Sequence, residues 1–392
     1  MARWRSMVPL CICLALASSA QEAPRSPAST GPSLIPRTRE ERENRYQAQH
    51  RIVLNMVVTD QYGTPVKGLK QDDFELLDNG QQRAIFTLRE LGGSREAAPT
   101  HVVLMLDAVN NNGRDIGNDR KGIEQFLKRS QTPLTYPTSL AILSESGVRM
   151  FQPSRERGVL LDQLRMLSKG VHPLDCTQGL GASEQVFAPI KLGSQSSVAD
   201  TLSDPKPNCL NTRFQRSLYA LRRFATEQEN VPGRVILAWI GPGWPLLSGP
   251  EFREDSKAIR ENLFDNLVLV TTALREAQVT LDAVFSPDLY RKVELRTDHD
   301  NAFFNGVPSE DKVAASSLGL QVLAHQSGGQ ILTETKDLGD EIDKCMDDAE
   351  AYYALSFNSP AANGPGEFHA LQVKVARTGM TVRTSTAYYA QP

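Results

Sequence analysis

Two stretches of strand length, Val102-Val103-Leu104-Met105-Leu106 and Val235-Ile236-Leu237-Ala238-Trp239-Ile240, are apolar at every position. A strand that alternates apolar and polar residues covers a core on one side only. One that is apolar on both faces needs a layer packed against each, as in the buried middle of a parallel sheet. Around these runs the period changes to that of a helix: Phe214, Leu218, Leu221 and Ala225 form one stripe, and Leu263, Leu267, Val270 and Leu274 another, each at the spacing of one helical face. Further strands are predicted at residues 140–143, 148–151 and 280–285, and further helices at 120–129, 155–167, 313–326 and 338–350. Strands and helices in alternation predict an α/β domain over residues 99–349, a doubly wound, mostly parallel sheet with helices on both faces.

The flanks read differently. From Arg51 apolar and polar positions alternate, with Ile52, Leu54, Met56 and Val58 on one side, and Asn79-Gly80 between residues 74–77 and 84–88 is a hairpin signal. About forty residues of antiparallel β structure make too small a core to stand alone. The C-terminal segments 352–357, 368–376 and 380–389 also read as strands. Residues 49–93 and 350–392 are therefore expected to build one small, discontinuous β-sandwich-like domain, the alternative being two separate small sheets on different edges of the central domain.

At the N-terminus Arg3 and Arg5 precede an apolar run over residues 7–17 and then Ser18-Ser19-Ala20, the order of a secretory signal peptide, with cleavage expected after Ala20. The run is too short to span a bilayer of about 30 Å. Residues 21–48 are rich in Pro, Ser, Arg, Glu and Gln, a composition that cannot bury enough apolar surface to order itself, and are expected to form a disordered linker. A secreted or periplasmic location follows, with no integral membrane span after cleavage. The formal charge of −3 becomes about −5 without the two signal arginines, with no block of like charge, so nucleic acid is not an expected partner. Of the five cysteines, Cys176, Cys209 and Cys345 remain in the mature chain. In an oxidising compartment Cys176 and Cys209, which flank the irregular segment 169–211, are the expected disulfide; three buried thiols are the alternative.

Ligands of open α/β sheets bind beyond the carboxyl ends of the central strands, which directs attention to Asp107-Ala108-Val109-Asn110-Asn111 and to the residues after Ile240. An acid directly after a buried strand suits a hard cation such as Mg²⁺. It equally suits an Asp that caps the following turn with its own side chain.

The sequence resembles the von Willebrand factor A domains, and within them the VWFA-related domain proteins abundant in Acidobacteria. The resemblance covers nearly all of the mature chain. It rests on Val57-Val58-Thr59-Asp60-Gln61-Tyr62-Gly63-Thr64-Pro65-Val66-Lys67-Gly68-Leu69, on Asp73-Phe74-Glu75-Leu76-Leu77-Asp78-Asn79-Gly80, on the strand ending at Asp107, on Gly366-Glu367-Phe368-His369 and on Ala387-Tyr388-Tyr389. It implies a von Willebrand factor A-like fold and a metal-ion-dependent adhesion site made of Asp-x-Ser-x-Ser, a Thr from a second loop and an Asp after the fourth strand. Asp107 matches, Val109 and Asn111 replace the two serines, Thr212 aligns with the threonine, and Gly241-Pro242-Gly243-Trp244 offers no carboxylate. The implied site is degenerate, with Asp107, Asn111 and Thr212 as the residues left to hold an ion. No cofactor is expected, Mg²⁺ being the ion such a site would take.

The sequence contains no His-Glu-x-x-His, Gly-x-Ser-x-Gly, phosphate-binding Gly-x-x-x-x-Gly-Lys-Ser/Thr or Cys-x-x-Cys motif, and its six histidines are scattered. The expectation is a non-enzymatic interaction module, for adhesion or envelope assembly, that binds a protein or envelope component. Its surface would be the top of the sheet, with Asn110 and Trp244 as contact residues, and the long insertion 169–211. The alternatives are a metal-dependent hydrolase using Asp107 with Asp115 or Asp119, and a purely structural envelope protein.

Overall fold

The computed structural model describes residues 50–92, 100–167, 169–174, 207–244, 257–285, 300–333 and 337–392. The expected signal peptide 1–20, the expected linker 21–48, Cys176 and most of the expected insertion 169–211 lie outside the described residues. The strands are β1 (Arg51–Thr59), β2 (Phe74–Asp78), β3 (Gln81–Arg83), β4 (Thr87–Leu91), β5 (Thr100–Asp107), β6 (Thr138–Ser144), β7 (Gly147–Met150), β8 (Arg234–Ile240), β9 (Val279–Val284), β10 (Ile331–Leu332), β11 (Tyr352–Asn358), β12 (Glu367–Val375), β13 (Thr381–Arg383) and β14 (Ala387–Ala390). The α-helices are α1 (Gly113–Lys128), α2 (Arg157–Leu167), α3 (Pro207–Gln228), α4 (Lys257–Glu276), α5 (Leu320–Gln326) and α6 (Leu338–Asp347). Among the described residues no helix is long and apolar enough to cross a membrane.

The two apolar runs become β5 and β8, neighbours at the centre of a six-stranded sheet of order β10-β9-β8-β5-β6-β7. All pairs are parallel except β6 with the edge strand β7. The two-residue period of a strand divides each run between two cores. Val103 and Met105 of β5 with Val235, Leu237 and Trp239 of β8 pack against α3, α4 and α5 through Phe214, Leu218, Leu221, Leu263, Leu267 and Leu323. Val102, Leu104, Ile236, Ala238 and Ile240 face the opposite layer of α1, α2 and α6, through Ile123, Phe126, Leu160, Leu164 and Ile342. Both helical stripes read from the sequence are thus buried against one face of the sheet. The result is a mixed α/β fold with a mostly parallel sheet flanked by helices.

One helix is shorter than its pattern. Residues 313–326 carry helical spacing, but the chain forms a 3₁₀ turn at Ala315–Leu318, passes through Gly319 in extended conformation (φ −65°, ψ 149°) and only then enters α5. The extended backbone lets Leu320 N donate to Trp244 O at 2.8 Å, tying α5 to the loop after β8.

The helices α1 and α6 meet where Gly122 admits Leu338. A Cβ at Gly122 would lie 2.7 Å from Leu338 Cδ2 and 2.8 Å from its Cβ. Alanine normally stabilises a helix interior over glycine by about 1 kcal/mol. Gly122→Ala is expected to reverse that sign and lower stability by about 1–2 kcal/mol through overpacking, read as a lower urea midpoint at unchanged slope.

The flanking segments pair across the chain. β1 pairs with β11 and β13, and β4 with β11, giving a four-stranded sheet of order β13-β1-β11-β4. β2 pairs with β12 and β3, and β14 with β12, giving a second of order β14-β12-β2-β3. A single apolar cluster draws on both sheets, with Leu54, Met56, Tyr353, Leu355 and Phe357 from the first and Leu76, Val373 and Tyr388 from the second. The Asn79-Gly80 turn forms as its residues foretell, at φ 50° and 76°, the left-handed pair that a two-residue hairpin needs. The strand it leads into is only Gln81–Arg83; the expected strand 84–88 is corrected to β4, because the chain leaves one sheet there and joins the other. The single strand expected over 380–389 is likewise two, β13 in one sheet and β14 in the other. Between them Thr384 Oγ1 donates to Asn55 O at 2.9 Å and Thr386 N to Gln326 O at 3.3 Å, which turns the chain toward the end of α5. His50–Pro392 makes one compact unit.

Candidate functional site

Asp107 closes β5 at the carboxyl edge of the sheet and is fully buried. Its Oδ1 accepts from Val109 N and Asn110 N, each at 2.9 Å, and its Oδ2 from Asn110 Nδ2 at 2.7 Å and Trp239 Nε1 at 3.0 Å. The first pair folds the chain back over the carboxylate as an Asx turn. The second pair comes from the loop and from the neighbouring strand. Met105 stands opposite Trp239 in the β5–β8 ladder, so Asp107, two residues on, shares a sheet face with the indole. Burial holds the Asp107 carboxyl above the usual carboxylate range, and the hydrogen bonds from Asn110, Trp239 and Val109 work against that shift.

The loop continues this inward arrangement. Asn110 Nδ2 also donates to Ser217 Oγ of α3 at 2.8 Å, and Asn110 Oδ1 has no hydrogen-bond partner. Asn111 is buried and its Nδ2 donates to Asp119 Oδ2 at 2.7 Å. Asn112 caps α1, its Oδ1 accepting from Asp115 N at 3.0 Å. Val109, where the family pattern has a serine, is fully buried in the apolar cluster.

After β8, Gly241 adopts φ +149°, and a Cβ there would fall 2.8 Å from Asp107 Cβ. The loop is laid onto Asp107 so closely that no carboxylate-bearing residue fits at that point. Trp244 packs edge-on against Trp239, with ring centroids 4.8 Å apart, and its Nε1 donates to Leu318 O at 2.9 Å.

A divalent cation needs oxygen ligands with free lone pairs. Here four N–H groups already point at the only carboxylate in the loop, Val109 has no side-chain oxygen, and the backbone of Gly241 fills the position of a second acid. Of the three residues expected to hold Mg²⁺, Asp107 is taken up by its own loop and the neighbouring strand, and Asn111 Nδ2 is turned to Asp119. No group of three or more His, Cys, Asp or Glu among the described residues is placed to hold a metal.

The sequence-derived residues separate accordingly. Asp107 and Asn110 are brought together, whereas Asn111 turns to Asp119. Thr212 is half-buried near the start of α3, and Ser217 of α3 meets Asn110 of the loop. The expected contact surface of Asn110 and Trp244 is corrected: they are 4 % and 2 % exposed, because one serves the carboxylate and the other packs under its own loop. Trp239 and Ser217 were not legible as partners of Asp107. A Trp within an apolar strand was the available signal, since a buried indole N–H requires an acceptor. Cys209 is buried, Cys345 is a buried free thiol, and the Cys176–Cys209 pairing lies outside the described residues.

Among the described residues, His101, His325 and His369 do not converge. His101 Nε2 lies 2.9 Å from Ser139 Oγ, His325 Nδ1 lies 3.3 Å from Phe304 O with the rings stacked, and His369 Nδ1 lies 2.7 Å from Asp78 Oδ1. Burial lowers the pKa of His101 and of His325.

No family model and no curated protein matches the chain. Among solved structures it is similar to the manganese-loaded TRAP protein of Plasmodium vivax, at 8 % identity and TM-score 0.33, over 77 % of this chain and 97 % of that one. It is also similar to proximal thread matrix protein 1 from the mussel byssus, at 10 % identity and TM-score 0.29, over 64 % of this chain and 49 % of that one. The human COPII-coat protein Sec24c follows at 9 % identity and TM-score 0.30, over 78 % of this chain and 46 % of that one. The chain thus spans about half the length of the last two.

Proposed function

We propose that this chain is an exported, non-enzymatic interaction module of von Willebrand factor A-like build, whose adhesion site is degenerate and binds without metal. One observation carries the reading: the buried Asp107 carboxylate is saturated by four N–H donors of its own chain. They supply the countering dipoles that a metal ion supplies elsewhere, and they fix the top of the sheet in one conformation. The two flanking sheets form a small β-sandwich-like domain that carries this scaffold, and a Cys176–Cys209 bridge pins the insertion.

With Asn110 and Trp244 buried as supports, the partner-facing surface moves outward to the rim. Asn112, Gly113 and Arg114 are exposed at the start of α1, as are His172 and Pro173 where the insertion begins. Pro173 Cγ lies within 3.6 Å of where a Cβ of Gly113 would sit, so the two segments form one continuous edge. The partner is a protein or envelope component. The hydrolase alternative needs Asp107 with Asp115 or Asp119 free to act; Asp115 is held by Asn112 at 2.7 Å and Asp119 by Asn111.

Isothermal titration of residues 21–392 with Mg²⁺, Mn²⁺ and Ca²⁺ tests the reading. No saturable heat is expected up to millimolar ion. Saturable binding that disappears in Asp107→Ala would restore a metal-dependent adhesion site and overturn the proposal.

A further inference from the structure

We infer that the groove between α3 and α4 is a binding site for a lysine at the carboxyl terminus of a partner polypeptide, with the terminal carboxylate at Arg222 and the ε-ammonium at Glu229. The groove lies at the opposite end of the α/β layer from Asp107, and the inference does not depend on the proposed function.

α3 leads into β8 and α4 into β9, and those two strands are parallel neighbours. The helices therefore run side by side in the same direction and end together at the amino edge of the sheet. Between their last turns lies a cavity of about 210 Å³. It is smaller than the roughly 300–1,000 Å³ pockets that enclose small-molecule ligands, and of a size for one long side chain. Its apolar wall comes from Ala225 of α3 with Val268, Leu269 and Ala273 of α4. Leu269 is 43 % exposed, apolar surface that a methylene stem can cover.

The charges stand at the two ends. Arg222 and Glu229 both line the cavity, seven residues apart and so separated by about 10 Å along the helix. Glu276 lines the same end as Glu229 and keeps a contact with Arg275 at 3.1 Å. Glu229 takes part in no ion pair among the described residues, and the last turn of α3 holds no basic residue. The negative end of a helix favours a cation, yet here a carboxylate follows it directly. A cation brought to Glu229 answers both.

Two arginines and two glutamates cancel, so the groove selects separated charges rather than net charge. A lysine with a free carboxylate carries an anion and a cation at the two ends of an unbranched apolar stem, and it matches the groove end for end. Its ammonium is a compact charge with three rotatable donors, unlike the planar fork of arginine. Glu229 and Glu276 offer carboxylate oxygens, and Thr272 Oγ1, in the same wall, is buried without a hydrogen-bond partner. The neighbouring Thr271 Oγ1 is already spent on Leu267 O at 2.7 Å. At the other end a guanidinium has five N–H donors, so Arg222 can receive a carboxylate alongside its existing contacts.

Amide chemical shifts of residues 21–392, titrated with an acetylated peptide of two alanines and a carboxyl-terminal lysine, test the site. Saturable shifts centred on residues 222–229 and 268–276 are expected. The same peptide amidated at its carboxyl terminus, and one ending in norleucine, should each bind about fivefold to tenfold more weakly, since each lacks one of the two charges. Glu229→Gln, a change at an exposed side chain, should weaken the lysine peptide by about fivefold at an unmoved melting temperature. No saturable shift, equal binding of the three peptides, or an affinity unchanged in Glu229→Gln overturns the inference. 6-Aminohexanoate separates the sources of this chemistry: if it binds and the lysine peptide does not, the groove takes a free ω-amino acid and the polypeptide terminus is ruled out.

Discussion

Replacing Asp107 by alanine is expected to lower the stability of residues 21–392 by about 3–5 kcal/mol, equally in Mg²⁺ and in EDTA, because several buried donors lose their acceptor together. Val109 N, Asn110 N, Asn110 Nδ2 and Trp239 Nε1 all point at this one carboxylate, and nothing apolar takes its place when it goes. Each orphaned buried donor costs about 1–3 kcal/mol, reduced here by relaxation and by water entering the space left behind. Asp107→Asn separates shape from charge. The amide oxygen can still accept from the two backbone N–H groups, but its NH₂ would face the Asn110 and Trp239 donors, so about 2 kcal/mol is expected to be lost. Urea unfolding in both ionic conditions reads the result. A metal ligand would behave differently: its removal would abolish ion binding while leaving the unliganded protein about as stable as before. That outcome would sink the hydrogen-bonded reading of the site.

What the sequence disclosed and what it hid follow from the range of the interactions. The all-apolar runs of β5 and β8 announce a sheet covered on both sides, and alternate residues of each enter different cores. Asp107 was visible as the polar residue that ends such a run, and its turn-capping role follows from its position alone. Its other partners were not visible, because Trp239 meets it through strand register and Ser217 meets Asn110 through the seating of α3 on the sheet. Thr212 draws attention by family pattern, and the hydroxyl that meets Asn110 is that of Ser217, five residues further along the helix. Gly241 gave a clue by the absence of an acid; only the geometry explains it, since a Cβ there would strike Asp107. In the flanks, the alternation in residues 51–59 and the Asn-Gly turn were sufficient for the elements, whereas the transfers between sheets at residues 84–86 and 384–386 answer to tertiary hydrogen bonds that leave no periodic trace.

The second large effect is expected at Asp78, and it bears on whether the flanking β structure unfolds with the α/β layer or apart from it. Asp78 ends β2 and is fully buried. It accepts from Tyr388 OH at 3.1 Å, stands 2.7 Å from His369 Nδ1 and lies 3.3 Å from Arg83 Nε. The three partners belong to β14, β12 and β3, so one carboxylate joins all three other strands of its sheet. Burial and the adjacent Asp78 also raise the Tyr388 phenol far above its ordinary value, which keeps it a donor. Asp78→Ala leaves an imidazole and a phenol buried without their acceptor and is expected to cost about 3 kcal/mol. Asp78→Asn, which retains an acceptor for one of them, should cost about 1 kcal/mol. Of the three tryptophans in the sequence, residues 21–392 lack Trp4 and retain Trp239 and Trp244, both at the top of the α/β sheet. Indole fluorescence therefore reports the α/β layer alone, whereas far-ultraviolet circular dichroism reports the whole chain. Tyr389 of β14 packs edge-on against Phe264 of α4, and its hydroxyl donates to Val307 O at 3.0 Å, so the C-terminal strand is built into the core that holds both tryptophans. Coincident shifts of the two signals in Asp78→Ala are the expected result, the mark of a single cooperative unit. A shift in dichroism with an unmoved fluorescence midpoint would instead make the paired flanks a domain that unfolds on its own.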